Sequence, residues 1–150
     1  MENKFKFSRI GYVYVPATRI DESIEWYTRH LDFRLIDKFH EQGSYLAVLH
    51  HPHQHSIALL LVETAEHKPL AIARNGTSFP IMALNCPDIE FTHRRLSEDG
   101  INPEPLMSIG DGGEAKYFFF RDPDGNLLEA AWSIWDPQDD YKEDFLRSGE

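Results

Sequence analysis

The chain is poor in cysteine: Cys86 is the only one in 150 residues. An intrachain disulfide is therefore excluded, and so is any paired-cysteine zinc motif. It is also short of positive charge, with 15 Lys and Arg against 25 Asp and Glu and a net charge of −10. Binding to nucleic acid or to an anionic membrane surface calls for a Lys/Arg-rich face, so neither partner is expected. No apolar run is long enough to span a bilayer, and the opening Met1 to Phe7 has no signal-like apolar core. The expected compartment is the reducing cytoplasm. No serine elbow, phosphate loop or dinucleotide fingerprint occurs. What the chain does have is 41% apolar and 13% aromatic residues, enough at this length for one compact core.

A weak internal repeat organises it. Arg9 to Val15 reads as a strand, and Ile20 to Leu31 as a helix with Ile20, Ile24, Tyr27 and Leu31 on one face. Thr18 and Asp21 resemble a capping box at its start. Shifted by 69 residues the arrangement recurs: Phe79 to Cys86 is a strand, Asp88 an N-cap, and Ile89, His93 and Leu96 a helix face. Tyr12 then matches Ile81 and Ile20 matches Ile89. Strand-like runs follow each helix, at 33–39, 45–50 and 56–63 in the first half and at about 102–107, 115–121 and 127–132 in the second. The expected fold class is α+β: two βαβββ modules, about 8–65 and 77–134, forming a curved mixed sheet around a concave pocket. Residues 66–76 read as a polar linker and 135–150 as an acidic tail. One module cannot close a cavity by itself, so the two pair within the chain or across a homodimer.

The most specific segment is Phe118 to Glu129, with Asp122-Pro123-Asp124-Gly125-Asn126 between apolar strands. Pro presets φ while Gly and Asn accept positive φ, which makes this a hairpin turn. With the repeat, and with Trp26-Tyr27 late on the first helix, the chain resembles the vicinal-oxygen-chelate superfamily of glyoxalases, bleomycin-resistance proteins and extradiol dioxygenases, over about residues 8–134. Metal-dependent members hold one divalent ion on the concave face, through ligands on the first and last strands of each module. The resemblance puts those positions at Tyr12, near Leu59, at Ile81 and at Glu129. Only Glu129 is an ordinary ligand type. Asp32 stands where relatives have Gly after the first helix, a mild departure because Asp tolerates left-handed geometry.

The resemblance thus implies a small-molecule binder with a degenerate metal site and no cofactor, its ligand held against Tyr12, Tyr14, Leu59, Ile81 and His50. Two alternatives stay open. One is a lyase, isomerase or dioxygenase using Glu129, either as a base or as a ligand for Zn, Ni, Mn or Fe with partners such as His50 or Tyr12. The other is a non-catalytic module that binds a peptide. Glu129 could equally be a carboxylate held by a neighbouring hydroxyl or amide, and Tyr12 and Tyr14 ordinary sheet packing. The run His50-His51-Pro52-His53-Gln54-His55 suggests metal, yet it occupies the place of the 122–126 turn. A solvated loop is the expected reading for all but His50, which closes a strand. His93 reads as a packed helix residue, His30 and His67 as surface residues, and Cys86 as buried and inert. The Gly110 to Gly113 run reads as a plain hairpin loop rather than a lid.

Overall fold

The computed structural model describes residues 4–136. The acidic tail lies outside the described residues from residue 137 onward.

The first module runs β1 (Tyr12–Ala17), α1 (Ile20–His30), β2 (Arg34–Glu41), β3 (Ser44–His50) and β4 (Ala58–Glu63), with sheet order β1-β4-β3-β2. A small hairpin follows, β5 (Ile72–Arg74) and β6 (Thr77–Phe79). The second module repeats the first: β7 (Ala83–Asn85), α2 (Ile89–Glu98), β8 (Met107–Ile109), β9 (Ala115–Arg121) and β10 (Leu127–Ser133), in order β7-β10-β9-β8. In each module the first strand runs parallel to the last, and the other pairs are antiparallel. The α+β architecture of two βαβββ modules is therefore present.

Several local expectations shift. The linker is not featureless, because Asn75 (φ 48°) and Gly76 (φ 87°) make a left-handed two-residue turn between β5 and β6. Asn-Gly is the sequence that suits such a turn. This hairpin takes Phe79, so β7 is shorter than the run 79–86 suggested. The strand expected over 102–107 instead covers Met107–Ile109. Asp88 caps α2 as expected, its Oδ1 accepting from Phe91 N–H at 3.1 Å. Helix α1 has no side-chain cap, because Arg19 holds the N-cap position. The N–H of Thr18 donates instead to Asp124 Oδ2 of the other module, at 2.9 Å. Asp32 takes the left-handed conformation, φ 62°.

Both sheets turn their helix-bearing faces into one core. Val15, Ala17, Ala47, Leu49, Leu59 and Leu61 from the first module join Phe118, Phe120, Leu128, Ala130, Ile89 and Leu96 from the second. Tyr27, fully buried, stands with them. The 122–126 turn locks the two halves together. Asp122 Oδ1 accepts from the N–H groups of Asp124 and Asn126, at 3.0 and 2.9 Å. Its Oδ2 accepts from Tyr27 Oη–H at 2.6 Å and from Asn126 Nδ2 at 2.8 Å. Asn126, with no exposed surface, also donates to Pro16 O and accepts from Leu70 N–H at 2.8 Å. The segment read from sequence as a hairpin turn is thus also the polar clamp between modules. Burial pushes the Asp122 carboxyl up, its hydrogen bonds opposing, and burial beside that carboxylate pushes the Tyr27 phenol well above its ordinary value.

Candidate functional site

Strand alternation sorts the candidate residues by face. On β1, Val15 and Ala17 point into the core, while Tyr12 and Tyr14 point the other way and are 59% and 60% exposed. On β10, Leu128 and Ala130 enter the core, which leaves Glu129 on the opposite face. Glu129 sits between Phe119 of β9 and Ala83 of β7.

Glu129 lines a cavity of about 590 Å³ with Tyr117, Phe119 and Ile109 of its own sheet and Arg74, Thr77 and Phe79 of the hairpin. The aromatic wall is continuous, with ring centroids 5.5 Å apart for Tyr117–Phe119 and 5.9 Å for Phe79–Phe119. Arg74 lies over the Phe79 ring, 4.9 Å from its centroid. No described residue donates a hydrogen bond to the Glu129 carboxylate, so the hydroxyl or amide that would have held it as a structural group is missing. Loss of water around it raises its pKa above the ordinary glutamate value, with no compensating donor.

The other sequence candidates do not converge on this cavity. Leu59 needs correction. It is 2% exposed, pairs with Val13 across the parallel ladder, and belongs to the core. Its neighbour Leu60 pairs with Tyr14 on the opposite face, and the 69-residue shift of the repeat carries Leu60 onto Glu129. The position matching Glu129 is therefore apolar in the first module. Ile81 leads into β7, donating to Leu127 O at 3.0 Å, and is not part of the cavity wall. His50 pairs with Arg34 at the end of β3. Alternation with buried Leu49 puts it on the face of Tyr12 and Tyr14, away from the core. Tyr12, Tyr14 and His50 therefore form one group and Glu129 another, on different modules. The hairpin residues Arg74 and Phe79 were not foreseen as lining residues. The Asn75-Gly76 pair was the available signal for the hairpin itself.

The histidine run also departs from the solvated loop. The His51 ring stacks on Phe33, centroids 3.8 Å apart, and its Nε2 lies 2.7 Å from Leu31 O. A carbonyl only accepts, so that nitrogen carries the proton. With His53, His55, Asp32 and His30, His51 edges a second cavity of about 380 Å³ between the modules, floored by Val13, Leu59, Leu84, Phe120 and Ala130. This puts the helix-side faces of the two sheets opposite one another and the faces bearing Tyr14 and Glu129 outward. His30, expected at the surface, has a side chain only 15% exposed, with Nδ1 3.3 Å from Asp99 Oδ2. His93 is packed as expected, Nε2 donating to Glu104 O at 2.9 Å with the ring edge-on to Phe118. Cys86 is buried, its thiol donating to Leu84 O at 3.7 Å.

The residues at the metal positions do not fit an ion. Tyr12, Leu60, Ile81 and Glu129 offer one carboxylate and one phenol. No three His, Cys, Asp or Glu side chains among the described residues are placed to share an ion. No helix among the described residues is long and apolar enough to cross a membrane.

Solved structures with this architecture are numerous. A glyoxalase family protein from Enterococcus faecalis is 25% identical, with TM-score 0.66 over 85% of this chain and 99% of that one. TnmS3, an antibiotic-binding protein from Streptomyces sp. CB03234, is 18% identical, with TM-score 0.69 over 87% and 99%. FosX, a fosfomycin resistance protein from Listeria monocytogenes, is 11% identical, with TM-score 0.67 over 86% and 96%. No curated protein sequence matches significantly. Residues 9–130 match the model of the glyoxalase/bleomycin resistance protein/dioxygenase superfamily, and the chain belongs to that superfamily.

Proposed function

We propose that this chain binds a small planar molecule in the aromatic cavity around Glu129, without a conventional metal centre. The observation that carries the reading is the Glu129 carboxylate itself: half-buried, raised in pKa by lost hydration, and given no donor by the described residues. A partly desolvated carboxylate without partners is costly, and a ligand hydroxyl or amine supplies what it lacks. The Tyr117 and Phe119 rings beside it, tilted 38° to one another, suit a flat body. That a neighbour of the same fold is an antibiotic-binding protein supports a binding role.

The test is thermal stabilisation of exhaustively dialysed protein by small aromatics bearing a donor, in wild type and in Glu129→Gln. A rise in Tm that needs Glu129 supports the reading. Retention of about one metal ion per chain after dialysis, lost in Glu129→Ala, would replace it with a metalloenzyme. A second reading rests on the same raised pKa: Glu129 acts as a proton-transfer base next to a ligand carbonyl. It predicts that Glu129→Gln keeps ligand binding and loses turnover.

The reading extends to a homodimer. Tyr12 and Tyr14 are 59% and 60% exposed on a face that no described element covers, and that face points away from the chain's own Glu129. A two-fold axis would set this face over the Glu129 cavity of a second copy. Sedimentation gives the oligomeric state. Mixing a Tyr12→Ala/Tyr14→Ala chain with a Glu129→Gln chain should restore one intact site per mixed dimer. Undiminished binding by the Tyr12→Ala/Tyr14→Ala chain alone would leave each chain with a self-contained site.

A further inference from the structure

We propose that Arg74, on the hairpin between the modules, selects ligands carrying a carboxylate, so that the molecule held in the Glu129 cavity is a planar conjugated acid. This rests on the aromatic-cavity reading above and names the class of ligand for it.

Arg74 ends β5, in a segment that the two-module repeat does not require. The hairpin fixes its position. Ile72, Ala73 and Arg74 pair with Phe79, Ser78 and Thr77, and the Thr77 hydroxyl donates back to Arg74 O at 2.9 Å. Upstream, Leu70 anchors the segment to the second module, its N–H donating to Asn126 Oδ1 and its carbonyl accepting from Leu127 N–H at 2.9 Å. The backbone that carries Arg74 is therefore tied to the strand that carries Glu129.

Acidic side chains outnumber basic ones 25 to 15, so a surface arginine meets carboxylates readily. Among the described arginines, Arg19, Arg94 and Arg95 form ion pairs with nearby Asp or Glu, and no described ion pair engages Arg74, Arg9, Arg29 or Arg121. Its guanidinium is laid over the Phe79 ring, in the cavity wall. Of the described residues lining that cavity, Arg74 is the only cation and Glu129 the only anion. A guanidinium lying over a ring face still has the N–H donors of its own edge to offer. A flat ligand lying along Tyr117 and Phe119, with Phe79 standing at 78° to Phe119, would present its edge toward Arg74. The group that matches two parallel N–H donors there is a carboxylate, held bidentately. The distal end of such a ligand, reaching Glu129, must carry a donor rather than a second acid, since two carboxylates would repel.

The experiment uses 6-hydroxy-2-naphthoic acid and its neutral analogue 6-hydroxy-2-naphthylmethanol, titrated calorimetrically into the full chain and into Arg74→Ala, Arg74→Lys and Arg74→Glu. Arg74 is exposed, so the fold tolerates these changes. The expected result is an acid-over-alcohol preference of at least about tenfold in the wild type, the scale of one charge-assisted contact. The preference falls to about one in Arg74→Ala, is partly kept in Arg74→Lys, which lacks the planar fork, and reverses in Arg74→Glu. Equal binding of acid and alcohol by the wild type overturns the assignment of Arg74 and leaves the aromatic cavity standing. So does a preference that survives Arg74→Ala. Failure of both compounds to bind removes the cavity reading and, with it, this inference.

Discussion

Asp122 and Glu129 lie seven positions apart on one hairpin, and both carboxyls are pushed up by burial. Their surroundings differ in one respect. Asp122 is met by four donors, from Tyr27, Asn126 twice and Asp124, within 2.6 to 3.0 Å. Glu129 is met by none among the described residues. The first carboxylate has its hydrogen-bonding capacity filled by the fold and so serves the fold. The second has no such partner among the described residues, and on the reading proposed above a ligand supplies one. Burial and pKa direction alone would not separate them, whereas a count of donors does.

Substitutions should divide along the same line. Asp122→Ala removes the common acceptor and leaves buried donors from both modules unanswered, a loss of about 3–4 kcal/mol or roughly 10 °C in Tm by calorimetry. Tyr27→Phe keeps the ring in the core and deletes one of those bonds, costing about 1–2 kcal/mol by urea unfolding. The tyrosine also supplies a pH signature. Its folded pKa lies well above the ordinary 10.0, so its contribution is whole below pH 10 and lost as the pH climbs from there through the folded value. The alkaline fall in stability should be shallower in Tyr27→Phe than in the wild type. Glu129→Gln should leave the Tm unchanged or raised, because it removes a charge the fold does not answer. Its pKa is raised by burial in the folded chain, so the wild type should lose a little stability as pH rises through the folded value, and the variant should not. A marked drop in Tm in Glu129→Gln would mean that this carboxylate, too, is structural.

The architecture was legible because the repeat is written in spacing. The 69-residue shift that aligns Ile20 with Ile89 also aligns β1 with β7, and the Asp-Pro-Asp-Gly-Asn turn lies between β9 and β10 as read. The face of β4 was not legible. Ala58, Leu59, Leu60 and Leu61 are all buried, so no alternation marks which of them points at the helices. A slip of one residue in such a strand exchanges the two faces, and that is why Leu59 stood where Leu60 belongs. The clamp made by the turn was hidden for another reason. Its partners Tyr27, Pro16 and Leu70 are 95, 110 and 56 residues away, beyond any local pattern. His51 likewise reads as one more loop histidine until Phe33 is known to lie beneath it.

The hairpin at 72–79 has a consequence for how this protein can change. One wall of the ligand cavity is carried by two three-residue strands whose side chains take no part in the shared core. The opposite wall is embedded in a sheet that the whole domain depends on. Variation at Arg74, Asn75 or Thr77 alters what the cavity accepts while the packing of the modules stays as it was. On the reading proposed above, the preference for one compound over another can drift at a rate set by the ligand and not by the need to fold.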